Sequence, residues 1–255
     1  MTSEISKEKV VNYYNEHTRF KINDFASVSP RIEAAWGSLI KYAPQSPKRI
    51  LEVGCGVGSI SHRMKKHWPD SQVYGLDIST ESIEMAKKLF SREGLFYLCG
   101  TLTKDRFDDG FDFIVFMDVY EHISIYDRDE VHSSLSTLLN NKGRIFLSVP
   151  TPHNLKWSDK YKPHTMQPVD EHISFEVIGK LASETGTEVL LYQIKDVWNI
   201  GDYAHIVLEK NNDFEAAFFH PKPLGLYPRL LRLIGKIKNR IIKPFRVLWI
   251  KSKLL

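Results

Sequence analysis

A chain of 255 residues with 42% hydrophobic and 26% charged side chains has the length and balance of one globular domain with additions, which excludes a disordered or fibrous protein. Two cysteines, Cys55 and Cys99, are too few for the disulfide framework of a small secreted domain, and no stretch nears the roughly 20 apolar residues that span a bilayer. The formal charge of +4 hides an asymmetry: residues 221–255 hold ten Lys or Arg and no Asp or Glu, so the preceding 220 residues carry 25 basic against 31 acidic side chains, net −6.

Met1 to Lys9 lack the apolar segment of a secretory signal, so a reducing cytoplasm is expected. Helices are predicted over 7–18 and 29–43, the second begun by Ser29 as cap and Pro30 at the first helical position; both precede the first strand and are expected to cover a bound ligand. Strand-like runs at about 49–53, 73–77, 95–99, 111–118 and 143–149 then alternate with helical stretches, the pattern of a parallel sheet with helices on both faces. Residues 187–193 and 204–210 are two further strand candidates, and 150–172 reads as a long polar loop beside the carboxyl ends of the strands.

The run from Arg49 to Ser61 carries the most information. An apolar strand ends at Glu52-Val53 and opens into Gly54, Gly56 and Gly58, residues without a Cβ that let backbone approach a nucleotide closely. Asp77 ends the second strand at the distance where dinucleotide folds place a ribose-binding carboxylate, and it can accept from both ribose hydroxyls. Glu52, just before the glycines, argues against a pyrophosphate and for a ligand with a cationic group.

With these residues the chain resembles the class I S-adenosylmethionine-dependent methyltransferases, whose first motif reads much like Leu51 to Gly58. Phe111 to Ile123 looks like the family's fourth strand and the Glu-His opening of the next helix, Gly143 to Pro150 like its fifth strand, and His172 to Glu176 with Leu181 and Gly186 like the following helix. The resemblance implies a doubly wound α/β, Rossmann-like fold with a seven-stranded, mostly parallel sheet and a final antiparallel strand. Its domains are an N-terminal helical cap at 1–45, a methyltransferase domain at 46–212 and a basic tail at 213–255. S-adenosylmethionine is the implied cofactor, held by Glu52, Gly54, Cys55, Gly56, Gly58 and Asp77, with Ile78 against the adenine and Asp118 and Val119 completing the site. Many relatives carry an acidic adenine-binding residue after the third strand. Here Gly100-Thr101-Leu102 stands in its place, which leaves backbone groups of Thr101 and Leu102, or the Thr101 hydroxyl, to read the base.

Methyl transfer to an alcohol needs in-line placement and a group that takes the proton. His153 is the first choice for that base and His164 the second, because histidine titrates in the useful range. His172 is expected to orient the loop or cap the following helix. Glu121 and His122 either act at the acceptor or support the cofactor from below, and Trp157 and Tyr161 are candidate acceptor contacts. No spacing matches a recognised metal-ligand pattern, so no metal is expected.

In the tail, Tyr227, Leu230, Leu231, Ile234, Ile237 and Ile241 fall at helical spacing with Arg229, Arg232, Lys236, Arg240 and Lys243 on another side; Pro244 is expected to end the helix. A cationic amphipathic segment with Trp249 suits an anionic membrane surface better than self-docking, a homodimer contact or an RNA-binding arm. The expectation is a cytoplasmic enzyme held peripherally at a membrane, O-methylating a sugar hydroxyl of a glycan or glycolipid precursor. A quinone or lipid phenol is the alternative acceptor, and a non-catalytic membrane scaffold or an RNA methyltransferase the alternative function.

Overall fold

Seven segments rich in β-branched and aromatic residues pair into one sheet: β1 (Arg49–Val53), β2 (Gln72–Asp77), β3 (Leu95–Cys99), β4 (Phe111–Met117), β5 (Leu139–Pro150), β6 (Glu188–Lys195) and β7 (Tyr203–Glu209). The computed structural model describes residues 6–18 and 29–211, and in the tail Pro244 alone. Strand order is β3-β2-β1-β4-β5-β7-β6, with β7 antiparallel to both neighbours and the other six strands parallel. The order reverses between β1 and β4, and that switch point places the ligand crevice beyond the ends of β1, β2 and β4.

β4 lies at the centre, and Phe111, Phe113, Ile114, Val115 and Phe116 are all fully buried because helices cover both faces. The period of two sorts its neighbours. Leu51, Leu76, Ile114, Phe116 and Leu147 face a core closed by α5 (Arg128–Leu138) and α7 (Phe175–Thr185), through Leu135, Ile178 and Leu181. Ile50, Val73, Phe113, Val115 and Phe146 face the other core, closed by α2 (Pro30–Tyr42), α3 (Ser59–His67) and α4 (Thr80–Phe90), through Leu39, Met64 and Ala86. At the N-terminus, α1 (Lys7–Glu16) is capped by the Ser6 side chain, which accepts from Lys9 N.

Three expectations are corrected. The segment 150–172 is not an open loop: Thr151 accepts from Asn154 N, Pro152 starts the first turn and buried Leu155 anchors α6 (Pro152–Tyr161), which is followed by a 3-10 turn at Pro163–Thr165. Its polar composition concealed the helix, since only one side chain faces inward. Residues Tyr120–His122 form a separate 3-10 turn and α5 starts only at Arg128, because the Glu121 carbonyl accepts from Glu171 N and does not continue into a helical ladder. Ser174, not His172, caps α7, by accepting from Val177 N.

The chain divides into two compact units, Met1–Asn212 and Asp213–Leu255. The predicted amphipathic tail lies outside the described residues. Pro244 itself has helical backbone where a helix end was expected; proline's fixed φ is a helical one. Among the described residues no helix is long and apolar enough to cross a membrane.

Candidate active site

Where β1 ends, backbone geometry builds a cradle. Gly54 N and Cys55 N both donate to Leu76 O at 2.7 and 3.0 Å, which turns the chain away from the sheet, and Gly58 N donates to Cys55 O at 2.9 Å. Gly54 has φ 72°, and a Cβ there would lie 2.4 Å from Val119 Cγ2; at Gly58, φ 81°, it would lie 2.5 Å from the Tyr97 hydroxyl. Both positions therefore require glycine. Asp77 closes the cradle from β2: its Oδ2 accepts from Gly56 N at 2.7 Å and its Oδ1 from Ser79 N at 2.9 Å. Glu52 is buried and accepts from the Ser61 hydroxyl.

The cradle floors a cavity of about 810 Å³. Of the residues assigned to the cofactor, Glu52, Gly54, Cys55, Gly56, Asp77, Ile78, Thr101, Leu102, Asp118 and Val119 line it, whereas Gly58 acts one step behind as the left-handed N-cap of α3. Asp118 is the chain's means of turning β4 into the site: its φ is 55°, and its Oδ2 lies 3.2 Å from Arg31 Nε on α2. Burial pushes the Asp118 carboxyl up, against the opposing effects of Arg31 and His122. Its Oδ1 is buried without a hydrogen-bond partner among the described residues, an atom that a cationic group in the cavity would satisfy. Glycines that a Cβ would fill, a ribose-competent carboxylate and the buried Asp118 carboxyl at the wall all fit an adenosyl ligand with a cationic methionine end.

His122 is the one histidine of the predicted catalytic and acceptor residues that lines the cavity. Its Nδ1 lies 2.8 Å from Val169 O and 3.0 Å from Asp170 Oδ1; a carbonyl can only accept, so Nδ1 carries the proton and Nε2 is the titrating atom. Nε2 meets the Gln167 amide at 2.9 Å, Gln167 Oε1 accepts from the Tyr14 hydroxyl at 3.0 Å, and Glu121 Oε1 stands 3.8 Å from the ring. Burial acts to lower His122, but the charges of Glu121 and Asp170 outweigh it and hold the imidazole at about 9. Glu121 is buried beneath the cavity and does not line it; burial, opposed by His122, pushes its carboxyl up to about 8.

Both raised groups bind protons more tightly in the folded chain than in the unfolded one, so their stabilising effect is complete at low pH and is lost as pH rises. From ordinary values of 4.5 for Glu121 and 6.5 for His122, the loss runs to about 8 and about 9 respectively. The ligand-free melting temperature is therefore expected to fall between pH 6.5 and 9, and His122→Gln to flatten that slope; a parallel slope in the variant would remove His122 as its source.

The remaining predicted residues are elsewhere. His153, Trp157 and Tyr161 lie exposed on α6 and His164 on the turn after it, and none of the four lines the cavity. Sequence reasoning missed Arg31, Tyr14 and Gln167: Tyr14 and Gln167 connect the helical cap to His122, and Arg31 connects it to Asp118. Val10, Val11, Tyr13, Tyr14 and His17 share one flank of α1 and line the cavity, a spacing readable in sequence; Gln167 has no such signal, since its partners are 45 and 153 residues away. Three side-chain bonds fasten α1 and its end: Tyr14 to Gln167, Ser79 Oγ to Asn15 Oδ1 at 2.7 Å, and Thr18 Oγ1 with Ser82 Oγ at 3.0 Å. Among the described residues no cluster of three or more His, Cys, Asp or Glu could hold a metal ion.

Residues 28–190 match the methyltransferase domain family. An uncharacterised protein of Rickettsia prowazekii is 33% identical over 112 residues, 42% of this chain and 45% of that protein. The ubiquinone biosynthesis O-methyltransferase of Erwinia tasmaniensis is 29% identical over 114 residues, 43% of this chain and 45% of that one. The chain thus spans about half the length of these curated relatives. Among solved structures, magnesium protoporphyrin IX methyltransferase from Synechocystis PCC 6803, determined with bound SAH, superposes with a TM-score of 0.63 at 16% identity, covering 81% of this chain and all of that one. At that identity the likeness shows the fold.

Proposed function

The chain belongs to the class I S-adenosylmethionine-dependent methyltransferases, and from that premise we propose that it transfers a methyl group to a hydroxyl oxygen, with His122 as the base that receives the hydroxyl proton. When bound, S-adenosylmethionine supplies the electrophilic methyl group and a fixed positive charge. Asp77 holds the ribose, the turn from Gly54 to Gly58 lies along the cofactor, and Ile78, Thr101 and Leu102 surround the adenine. His122 Nε2 takes the proton; Asp170 and the Val169 carbonyl fix the ring and stabilise its charged form. A base held near 9 loses its proton more readily when a cation shares the cavity, so cofactor binding primes it.

The single observation that carries this reading is His122, a half-buried histidine set between two carboxylates at the wall of a cavity floored by the glycine cradle. The acceptor is best read as a phenol or other aromatic hydroxyl, because the wall nearest the N-terminus is made by Val10, Val11, Tyr13, Tyr14 and Ile32. The sugar and phenol readings both drew on segment 150–172, of which Gln167 and Val169 line the cavity while Trp157, Tyr161 and Met166 do not, so the choice between them rests on the apolar wall from the N-terminal helices. The basic, amphipathic tail supports presentation of that acceptor at an anionic membrane surface.

Calorimetric titration of the full chain with S-adenosylmethionine and S-adenosylhomocysteine, followed by transfer of labelled methyl to panels of phenols and glycolipids, tests the proposal. Micromolar binding of both ligands with label on phenols is expected. Label confined to glycolipids would restore the sugar acceptor, and absence of cofactor binding would favour a non-catalytic scaffold.

A further inference from the structure

The turn joining β6 to β7 is built rigidly and yet displays apolar side chains to water. Buried Asp202 takes the N–H groups of Val197, Trp198 and Asn199 at 2.8, 2.9 and 3.0 Å, and Gly201 N donates to Asp196 Oδ1 at 2.7 Å. At the tip of this structure Ile200 is 91% exposed and Trp198 56% exposed. A loop that needed only to reverse the chain would bury such residues or carry polar ones, since an exposed apolar side chain forgoes the gain of burial. Fixing them outward in a preformed turn removes the entropy cost of ordering them on contact.

The turn does not stand alone. Thr151, the cap of α6, donates through N to Asp202 O at 2.9 Å and through Oγ1 to Gly201 O at 2.7 Å, so α6 starts directly against it. On α6, Trp157 and Tyr161 fall at i and i+4, share one stripe with rings 5.6 Å apart, and are 41% and 59% exposed. Lys160 lies over the Tyr161 ring and Lys162 over the Trp157 ring, both at 5.1 Å, and Lys156 is exposed one turn before Lys160. Asp159 is the one acid on the helix, and Asp196 is engaged within the turn. Both elements follow the carboxyl ends of parallel strands, β5 and β6, the end of the sheet at which the cavity lies.

We infer that this patch, the β6–β7 turn with the exposed stripe of α6, inserts into an anionic lipid surface. Ile200 and Trp198 enter the acyl boundary, Trp157 and Tyr161 lie at headgroup depth, and Lys156, Lys160 and Lys162 meet the lipid phosphates. Charge complementarity selects a lipid surface over a second copy of the chain: the stripe is aromatic and cationic, and an identical stripe would repel it. The inference rests on the membrane part of the proposed function but assigns a contact that the tail does not provide.

The test uses the full chain and phosphatidylcholine vesicles with and without phosphatidylglycerol, read by co-sedimentation and by quenching of tryptophan with lipids brominated along the acyl chain. Trp198→Ser with Ile200→Ser, and separately Lys156→Gln with Lys160→Gln and Lys162→Gln, are compared with Arg232→Gln, Lys236→Gln and Arg240→Gln in the tail. All substituted positions in the turn and on α6 are exposed, and unchanged S-adenosylhomocysteine affinity confirms the fold. Expected are a loss of partitioning on the order of tenfold for each patch variant on phosphatidylglycerol vesicles and loss of shallow quenching for the first. Patch variants that bind like wild type while the tail variant does not would overturn the inference and leave membrane association standing. No binding by wild type would overturn both, and a concentration-dependent dimer abolished by Trp198→Ser with Ile200→Ser would assign the patch to a second copy.

Discussion

Asp77→Ala is expected to abolish measurable binding of S-adenosylmethionine and S-adenosylhomocysteine. The effect has two parts. One is the loss of the ribose acceptor. The other is local, because the carboxylate is 5% exposed and each of its oxygens already receives a backbone N–H, from Gly56 and from Ser79. Removing it leaves two buried donors without an acceptor, at about 1–3 kcal/mol each, so the ligand-free protein should also melt at lower temperature. Asp77→Asn separates the parts: its single carbonyl can hold one of the two N–H groups, and it should retain more stability than alanine while still weakening the ligand by about a hundredfold. Calorimetry and thermal melts check both, and unchanged affinity in Asp77→Ala would remove the ribose assignment.

His122→Gln is expected to lower turnover by about a hundredfold or more while cofactor affinity changes little. Because the wild-type imidazole is held at about 9 by Glu121 and Asp170, kcat/KM should rise with pH until about 9, and the variant should lose that rise. Glu121→Gln removes one of those charges and should move the midpoint down. His153→Ala provides the comparison: exposed on α6 and outside the cavity lining, it should keep wild-type turnover. A large loss in His153→Ala with none in His122→Gln would return the base to the residue favoured by sequence.

The two histidines show what was legible in the chain and what was not. Strand alternation, the glycine turn and Asp77 are local signals, each written within a few residues, and from them the parallel sheet and the glycine-and-Asp77 side of the cavity followed. The side of the cavity around His122 is made by residues distant in sequence. Gln167 meets Tyr14 and His122, and Arg31 meets Asp118, with no periodicity or spacing to announce either contact. His153 drew attention because it follows the fifth strand in a polar segment. In the fold that segment winds into α6 on one buried leucine and turns its histidine to solvent. The Glu-His pair was noticed, yet its place on a 3-10 turn depended on the Glu171 to Glu121 backbone bond, which no local rule encodes.

The fastening of α1 bears on residence time. Tyr14, Asn15 and Thr18 are tied to Gln167, Ser79 and Ser82, three anchors on two different parts of the fold. A molecule that left past α1 would wait for these anchors to release together, so its escape rate along that route would be set by the undocking of one short helix more than by its own affinity. Substrate and product of the same cofactor, though they differ in charge, would then share nearly one dissociation rate, and the pace of successive turnovers would be a property of the N-terminal helix.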